Sequence, residues 1–283
     1  MAGFPLTGVL ASGAVTGTSQ LKQLLETALK NVRFNLAQGS EQYEISQLGG
    51  SAVARERVQG LENTTFEFEG HYPKTSPRLG NSGLITYATG FVEYVTRWSL
   101  AVDFGEIELT AMTGTALTAR GYVPSGLIDW SGSYTAHAVS GNRIKATSPA
   151  NDIGAAATFK ITADTTTDPA FTGNIITSQV GQAIRKGDLQ ECSYGFVGAN
   201  DLSEVLGGTL PYLLVSGGGV VQPSVLETGS ADGTPDVSLT VTTHTGRTVV
   251  GNAFLKSFNI EVTPGEPIRV TGTARFTGPV TRN

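Results

Sequence analysis

The strongest constraint on how this chain folds is a two-residue rhythm. In Thr65-Phe66-Glu67-Phe68-Glu69 the rings fall on one side of an extended backbone and the carboxylates on the other, as in a strand with one dry and one wet face. The rhythm returns over residues 241–244, 260–262 and 268–276. Turn-forming groups separate the runs, among them Ser140-Gly141-Asn142, Arg185-Lys186-Gly187-Asp188 and Pro264-Gly265. Composition points the same way: 36 glycines accompany runs of Thr, Ser and Val, with 39% hydrophobic and 15% charged residues. A chain of 283 residues can bury one large core or two small ones. The predicted class is therefore mainly β. One segment, residues 19–30, has clear helical spacing, with Leu21, Leu24, Leu25, Ala28 and Leu29 on one stripe and Ser19 placed to cap it. A weaker helix candidate covers residues 202–206 and ends at Gly207-Gly208.

The chain also repeats itself. Arg33-Phe34-Asn35-Leu36 returns as Arg97-Trp98-Ser99-Leu100, a shift of 64 positions that also brings Glu44 onto Glu108 and Gly50 onto Gly114. With small gaps, Gly60-Leu61 meets Gly126-Leu127, and residues 65–69 meet 131–135. Downstream, Gly173-Asn174 meets Gly251-Asn252 and Gly187 meets Gly265, a shift of 78, with Phe196-Val197-Gly198 set against Phe276-Thr277-Gly278. The order is first half, first half, second half, second half. A plain tandem duplication would alternate the halves, so this order points to an outer pair folding around an inner pair.

A formal net charge of −5 and a pI near 5.3 argue against tight non-specific nucleic-acid binding, which needs clustered Lys and Arg. Cys192 is the only cysteine, so neither an intrachain disulfide nor a Cys-based metal site can form. Residues 1–17 are apolar but lack a basic leader and are broken by Pro5 and several glycines, and no run reaches membrane-spanning length. A soluble protein with an N-terminal arm is expected, with no membrane partner. His71, His137 and His244 show no metal-site spacing, and no nucleophile elbow or phosphate-binding loop is present. The expectation is a non-enzyme with no cofactor and no metal.

One ordered set of segments carries a family resemblance. Val95-Thr96-Arg97-Trp98-Ser99-Leu100 is followed by Glu106-Ile107-Glu108-Leu109-Thr110, Gly126-Leu127 and Trp130-Ser131-Gly132-Ser133-Tyr134. Then come Gly154-Ala155-Ala156-Ala157-Thr158-Phe159, Gly173-Asn174-Ile175-Ile176-Thr177-Ser178 and Tyr194-Gly195-Phe196-Val197-Gly198. In this order they resemble the tail tube (major tail) proteins of siphophages and contractile phages, whose fold is shared by secreted Hcp-like tubes, over a little more than a third of the chain.

The resemblance implies two packed antiparallel β-sheets, a tail-tube-like sandwich or barrel with one flanking helix, and the repeats, in which this sequence departs from the family, add an internal duplication. Its parts would be residues 1–30 as arm and helix, 31–91 with 202–283 as an outer tube-like unit, and 92–201 as an inner one. It implies a structural virion protein of the phage tail, assembled in the host cytoplasm into stacked rings that form a channel for genome delivery. Rings of the family usually hold six subunits; with two units per chain, three chains would give the same outline, so trimer and hexamer both stand. Sheath, tape measure, terminator and baseplate proteins are the implied partners, with DNA passing through without specific binding.

Glu67, Glu69, Asp103, Glu106 and Glu108 are candidates for an acidic channel wall along which DNA slides without sticking, or for an ordinary solvated sheet face. Arg55, Arg57, Arg120 and Tyr122 lie in equivalent polar loops of the upstream repeat, and Arg78 lies in a Pro-rich stretch; these are candidates for ring-to-ring contacts. Three other readings remain. A terminator, distal tail or baseplate component would stop at one ring. A carbohydrate-binding adhesion module would expose Trp98 and Trp130 as a sugar platform. An enzyme would need a reactive side chain that the sequence does not reveal.

Overall fold

The period-two segments fold as long antiparallel strands, because alternation lets each strand bury one row of side chains while hydrating the other. The computed structural model of the protein describes residues 12–16, 20–44, 57–87, 90–91, 94–108, 120–137, 155–161, 168–183, 186–205, 210–223, 238–244 and 247–283. The strands are β1 (Ser12–Thr16), β2 (Lys30–Glu44), β3 (Arg57–His71), β4 (Leu84–Tyr87), β5 (Gly90–Phe91), β6 (Val95–Glu108), β7 (Tyr122–His137) and β8 (Ala155–Lys160). They continue as β9 (Ala170–Ala183), β10 (Glu191–Gly198), β11 (Ser203–Val205), β12 (Gly219–Val220), β13 (Ser238–His244), β14 (Arg247–Val262) and β15 (Arg269–Arg282). The protein is mainly β, and every ladder is antiparallel.

Hydrogen bonding runs through all 15 strands as one network, in the main order β2-β3-β15-β14-β6-β7-β10-β9-β8-β4-β5. Two strands do not keep one neighbour along their whole length. On one side, β14 pairs with β13 through residues 247–252 and then with β6 through 257–262. On the corresponding side, β9 pairs with β8 through residues 170–175 only.

The repeat seen in the sequence is present in the pairing. Six strands in the order β1-β13-β14-β15-β3-β2 match six in the order β4-β8-β9-β10-β7-β6. The irregularities match as well. β2 bulges at Val32 and Glu41 and β6 at Thr96 and Gly105, both at the 64-residue shift. β14 bulges at Lys256 and β9 at Ser178, at the 78-residue shift. A bulge is a specific local distortion, so coincidence at three places is far stronger than similarity of Thr- and Gly-rich strands. The strand register also corrects one alignment: Phe196 opposes Gly132 and Ala274 opposes Phe66, which places Phe196 against Ala274, not Phe276.

The dry face carries Phe66, Phe68, Trp98, Leu100, Val102, Trp130, Tyr134, Phe196, Phe258 and Ile260, all buried. Phe159 of β8 stacks on Phe196 of β10 with centroids 4.8 Å apart and lies 5.8 Å from Trp98 of β6, so β8 crosses above this face. A short helical segment covers the other half. It comprises α1 (Gln20–Lys22), continued by a π-helical stretch (Gln23–Ala28), and it buries Leu21, Leu24, Leu25 and Ala28. Each such leucine contributes ~1.5–3 kcal/mol by leaving water. The proposed cap, Ser19, lies outside the described residues.

The second helix candidate is not a helix, since Ser203–Val205 forms β11 against β9 and β12. A run that short cannot repay helix nucleation, and its central side chain is engaged elsewhere. Glu204 is 0% exposed and accepts backbone N–H bonds from Leu213 at 2.7 Å, and from Leu214 and Val215 at 2.8 Å. The turn it fixes presents the Pro211 and Tyr212 carbonyls to Tyr72 Oη and Gln23 Nε2, tying the helix to the sheet.

Burial pushes the Glu204 carboxyl up to about 7, against the pull of its three amide donors. The folded chain therefore holds this proton more tightly than the unfolded chain, whose ordinary value is 4.5. The contribution is complete below pH 4.5 and is lost as pH rises through about 7. Urea midpoints measured between about pH 5 and about pH 8 should show this decline in the wild type and not in Glu204→Gln. Equal slopes in the two chains would contradict it.

Candidate assembly surface

The wet side of the sheet is a polar face running across strands from both repeats. Arg33, Asn35, Glu67, Glu69, Asp103, Asp129, Ser131, Ser257, Asn259, Thr271 and Thr273 border a shallow depression on it. The depression straddles the place where β14 meets β6, with Ser257 opposite Asp103 and Asn259 opposite Ala101. Alternation alone sends these side chains away from the core, so one strand pattern supplies both the core and this face.

Most of the expected acidic residues are charge-compensated. Glu69 accepts a bond from Arg269 Nε at 2.8 Å, and that carboxylate raises the Arg269 pKa. Glu108 lies 2.7 Å from Arg120 Nη1, and Glu67 accepts from Asn35 Nδ2 at 2.9 Å. Glu106 sits past the second bulge of β6, where Lys256 Nζ and Arg275 Nη2 both lie 3.0 Å from its Oε1. Asp103 stands directly opposite Asp129, a residue the sequence did not single out. Two like charges facing across a ladder are unfavourable, so that pair is the face's least compensated acidic spot among the described residues.

Burial alone would raise the Glu106 carboxyl, but the hydrogen bonds and charges of Lys256 and Arg275 outweigh it and hold the pKa below 4.5. This contribution is present above pH 4.5 and is lost as pH falls through the depressed value. Glu106→Gln should cost about 1–2 kcal/mol at neutral pH, because it strips a charge partner from two cations. The difference from wild type should shrink toward zero in acid. A constant difference at all pH values in urea titrations would contradict the assignment.

The residues considered for ring contacts are scattered. Arg55 lies outside the described residues, and Arg57 opens β3 opposite Glu44. Arg78 Nη1 lies 3.0 Å from the buried Asp168 carboxylate. Arg120 pairs with Glu108, and Tyr122 is 5% exposed beneath the Arg275 guanidinium, 4.2 Å from its ring centroid. Tyr122, Arg275, Glu106, Lys256, Glu108 and Arg120 thus cluster at one end of the sheet. Trp98 and Trp130 are both in the core, with Trp130 Nε1 donating to the Asn200 carbonyl at 2.7 Å, so neither offers a ring to a sugar.

Two features escaped the sequence reading. His71 and His137 hold equivalent places, ending β3 and β7, opposite Arg269 and Glu191. More consequential are the edges. Among the described residues β2 pairs with β3 alone, and residues 176–183 of β9 have a partner only on the β10 side. No helix of the described residues is long and apolar enough to cross a membrane, and no three His, Cys, Asp or Glu side chains gather there as a metal site. No protein-family model matches the chain, and no curated protein is significantly similar to it.

Proposed function

We propose that the chain is a tail tube subunit, a structural virion protein and not an enzyme, whose copies join into rings that stack around a channel for genome DNA. The observation that carries this reading is the internal junction: two repeated strand groups are joined edge to edge by β14 and β6, leaving β2 and residues 176–183 of β9 open at the two ends of the layer among the described residues. Open edges invite pairing with another chain, and natural sheets either blunt them or close them. A head-to-tail contact repeated at a fixed rotation closes into a ring, which removes every edge. Since each chain carries two repeated groups, three chains complete a pseudo-sixfold ring.

The polar face would line the channel. Its acidic residues are mostly paired, Asp103 faces Asp129, Arg33 stands among them, and the formal net charge is −5, so the face would offer phosphates no cluster of cations and DNA would slide. Chemistry in the sense of bond-making has no part, and no cofactor is needed. Sheath, tape measure, terminator and baseplate proteins would meet the ends and the outside of the stack in the virion, which would be assembled in host cytoplasm.

Sedimentation velocity over a concentration series, with negative-stain images of the same samples, tests the reading. Growth into hollow tubes is the expected result. Single rings that never stack would instead fit a terminator or baseplate component, and a monomer at high concentration, with or without other tail proteins, would overturn ring assembly.

A further inference from the structure

We propose that residues 179–183 of β9 pair antiparallel with residues 35–39 of β2 of a second copy of this chain, in the register that β14 and β6 already use within the chain. This rests on the reading of the chain as a ring subunit and names the surface that makes the ring. At the internal junction Ser257 opposes Asp103, Phe258 Val102, Asn259 Ala101, Ile260 Leu100 and Glu261 Ser99. The 78-residue shift carries β14 onto β9, and the 64-residue shift carries β6 onto β2; the coincident bulges at Lys256 and Ser178, Thr96 and Val32, and Gly105 and Glu41 fix both shifts. Applied to the junction, they set Gln179 opposite Gly39, Val180 opposite Gln38, Gly181 opposite Ala37, Gln182 opposite Leu36 and Ala183 opposite Asn35.

Three properties of the edges suit this partner. Among the described residues, both lack a neighbour where the equivalent strands have one. The wet-face positions would be Gln179, Gly181 and Ala183 against Gly39, Ala37 and Asn35, small or neutral side chains with no like charges opposed. The dry-face pairs would be Val180 with Gln38 and Gln182 with Leu36, more polar than Phe258 with Val102 and Ile260 with Leu100. That difference has a physical reason. The dry-face side chains of the internal junction, Leu100, Val102, Phe258 and Ile260, are buried, whereas the two edges must remain soluble on the free chain, and glutamines at those places limit indiscriminate pairing.

The test is disulfide trapping in a chain whose buried Cys192 is replaced by alanine. Gly39→Cys and Gln179→Cys are placed together in one chain; a side chain at Gly39 meets nothing within 4 Å, and Gln179 is exposed. Assembled under mild oxidation, this chain should give a covalent ladder on a non-reducing gel. Directly opposed residues fall within disulfide reach, so it should exceed by about tenfold the yield of a control carrying Ala37→Cys with Gln179→Cys. The pair Gln38→Cys with Val180→Cys tests the same register from the other face should the first variant fold poorly. Assembly seen by light scattering with neither opposed pair trapped, or with the control trapped equally, overturns this register while leaving the ring reading intact. Failure of the wild type to assemble at all overturns both.

Discussion

Glu204→Ala is expected to destabilise the chain by about 3–5 kcal/mol, as large a loss as emptying a buried aromatic site. The carboxylate is the acceptor for three successive backbone amides, Leu213, Leu214 and Val215, and it is wholly buried. Removing it leaves those N–H groups without acceptors, at about 1–3 kcal/mol for each one that water cannot reach. The turn cannot simply open, because Leu213 and Leu214 are themselves buried. It also holds the helix, through Gln23 Nε2 on the Tyr212 carbonyl at 2.6 Å and Tyr72 Oη on the Pro211 carbonyl at 2.6 Å. Loss of the turn should therefore loosen residues 20–28 with it. Urea unfolding gives the cost, and hydrogen exchange at residues 20–28 and 213–215 gives its location. A loss below about 1 kcal/mol with unchanged protection would mean that the carboxylate does not organise this turn.

The second large effect is expected at Gly132. A Cβ there would lie 2.2 Å from the Ser99 carbonyl oxygen and 2.5 Å from the Phe196 ring. Backbone on one side and a stacked ring on the other leave no soft neighbour, since Phe196 also packs on Phe159 at 4.8 Å. Gly132→Ala should cost about 3 kcal/mol through displacement of the β6–β7 ladder. The equivalent place in the other repeat explains why glycine stands here. There Phe66 of β3 faces Ala274 of β15, so the large and small residues are exchanged across the strand pair. Gly132→Phe combined with Phe196→Ala copies that arrangement and should be markedly more stable than Gly132→Phe alone. Strict additivity of the two substitutions in denaturant midpoints would contradict this exchange.

The same exchange shows why part of the duplication was hard to read. Arg33-Phe34-Asn35-Leu36 and Arg97-Trp98-Ser99-Leu100 align by eye because both halves keep the pattern on a single strand. Downstream, a phenylalanine crosses to the neighbouring strand, and matching Phe196 to Phe276 misses the true register by two residues. Alternation correctly located strands such as residues 65–69 and 260–262, and leucine spacing located the helix, because those signals are local. The junction of residues 98–103 with 257–262 is not local, and nothing in either strand names its partner.

The charged face was legible only in outline for the same reason. Glu106 is adjacent in sequence to no cation, yet it is clamped by Lys256 and Arg275, which arrive on β14 and β15. Glu69 and Arg269 are 200 residues apart. Acidic strands read one at a time therefore overstate the negative field that the assembled face presents. At residues 202–206 local apolar spacing suggested a helix, but Glu204 is committed to the 213–215 amides, and Ser203–Val205 pairs as a strand instead.

End-on images of assembled particles, averaged without imposed symmetry, test most directly whether one chain supplies two tube-like units of a closed ring. The expected result is a hollow ring with a sixfold outline modulated threefold, built from three 29.5 kDa chains. A ring of six equivalent chains, or a protein that stays a single 29.5 kDa particle at every concentration, would contradict it.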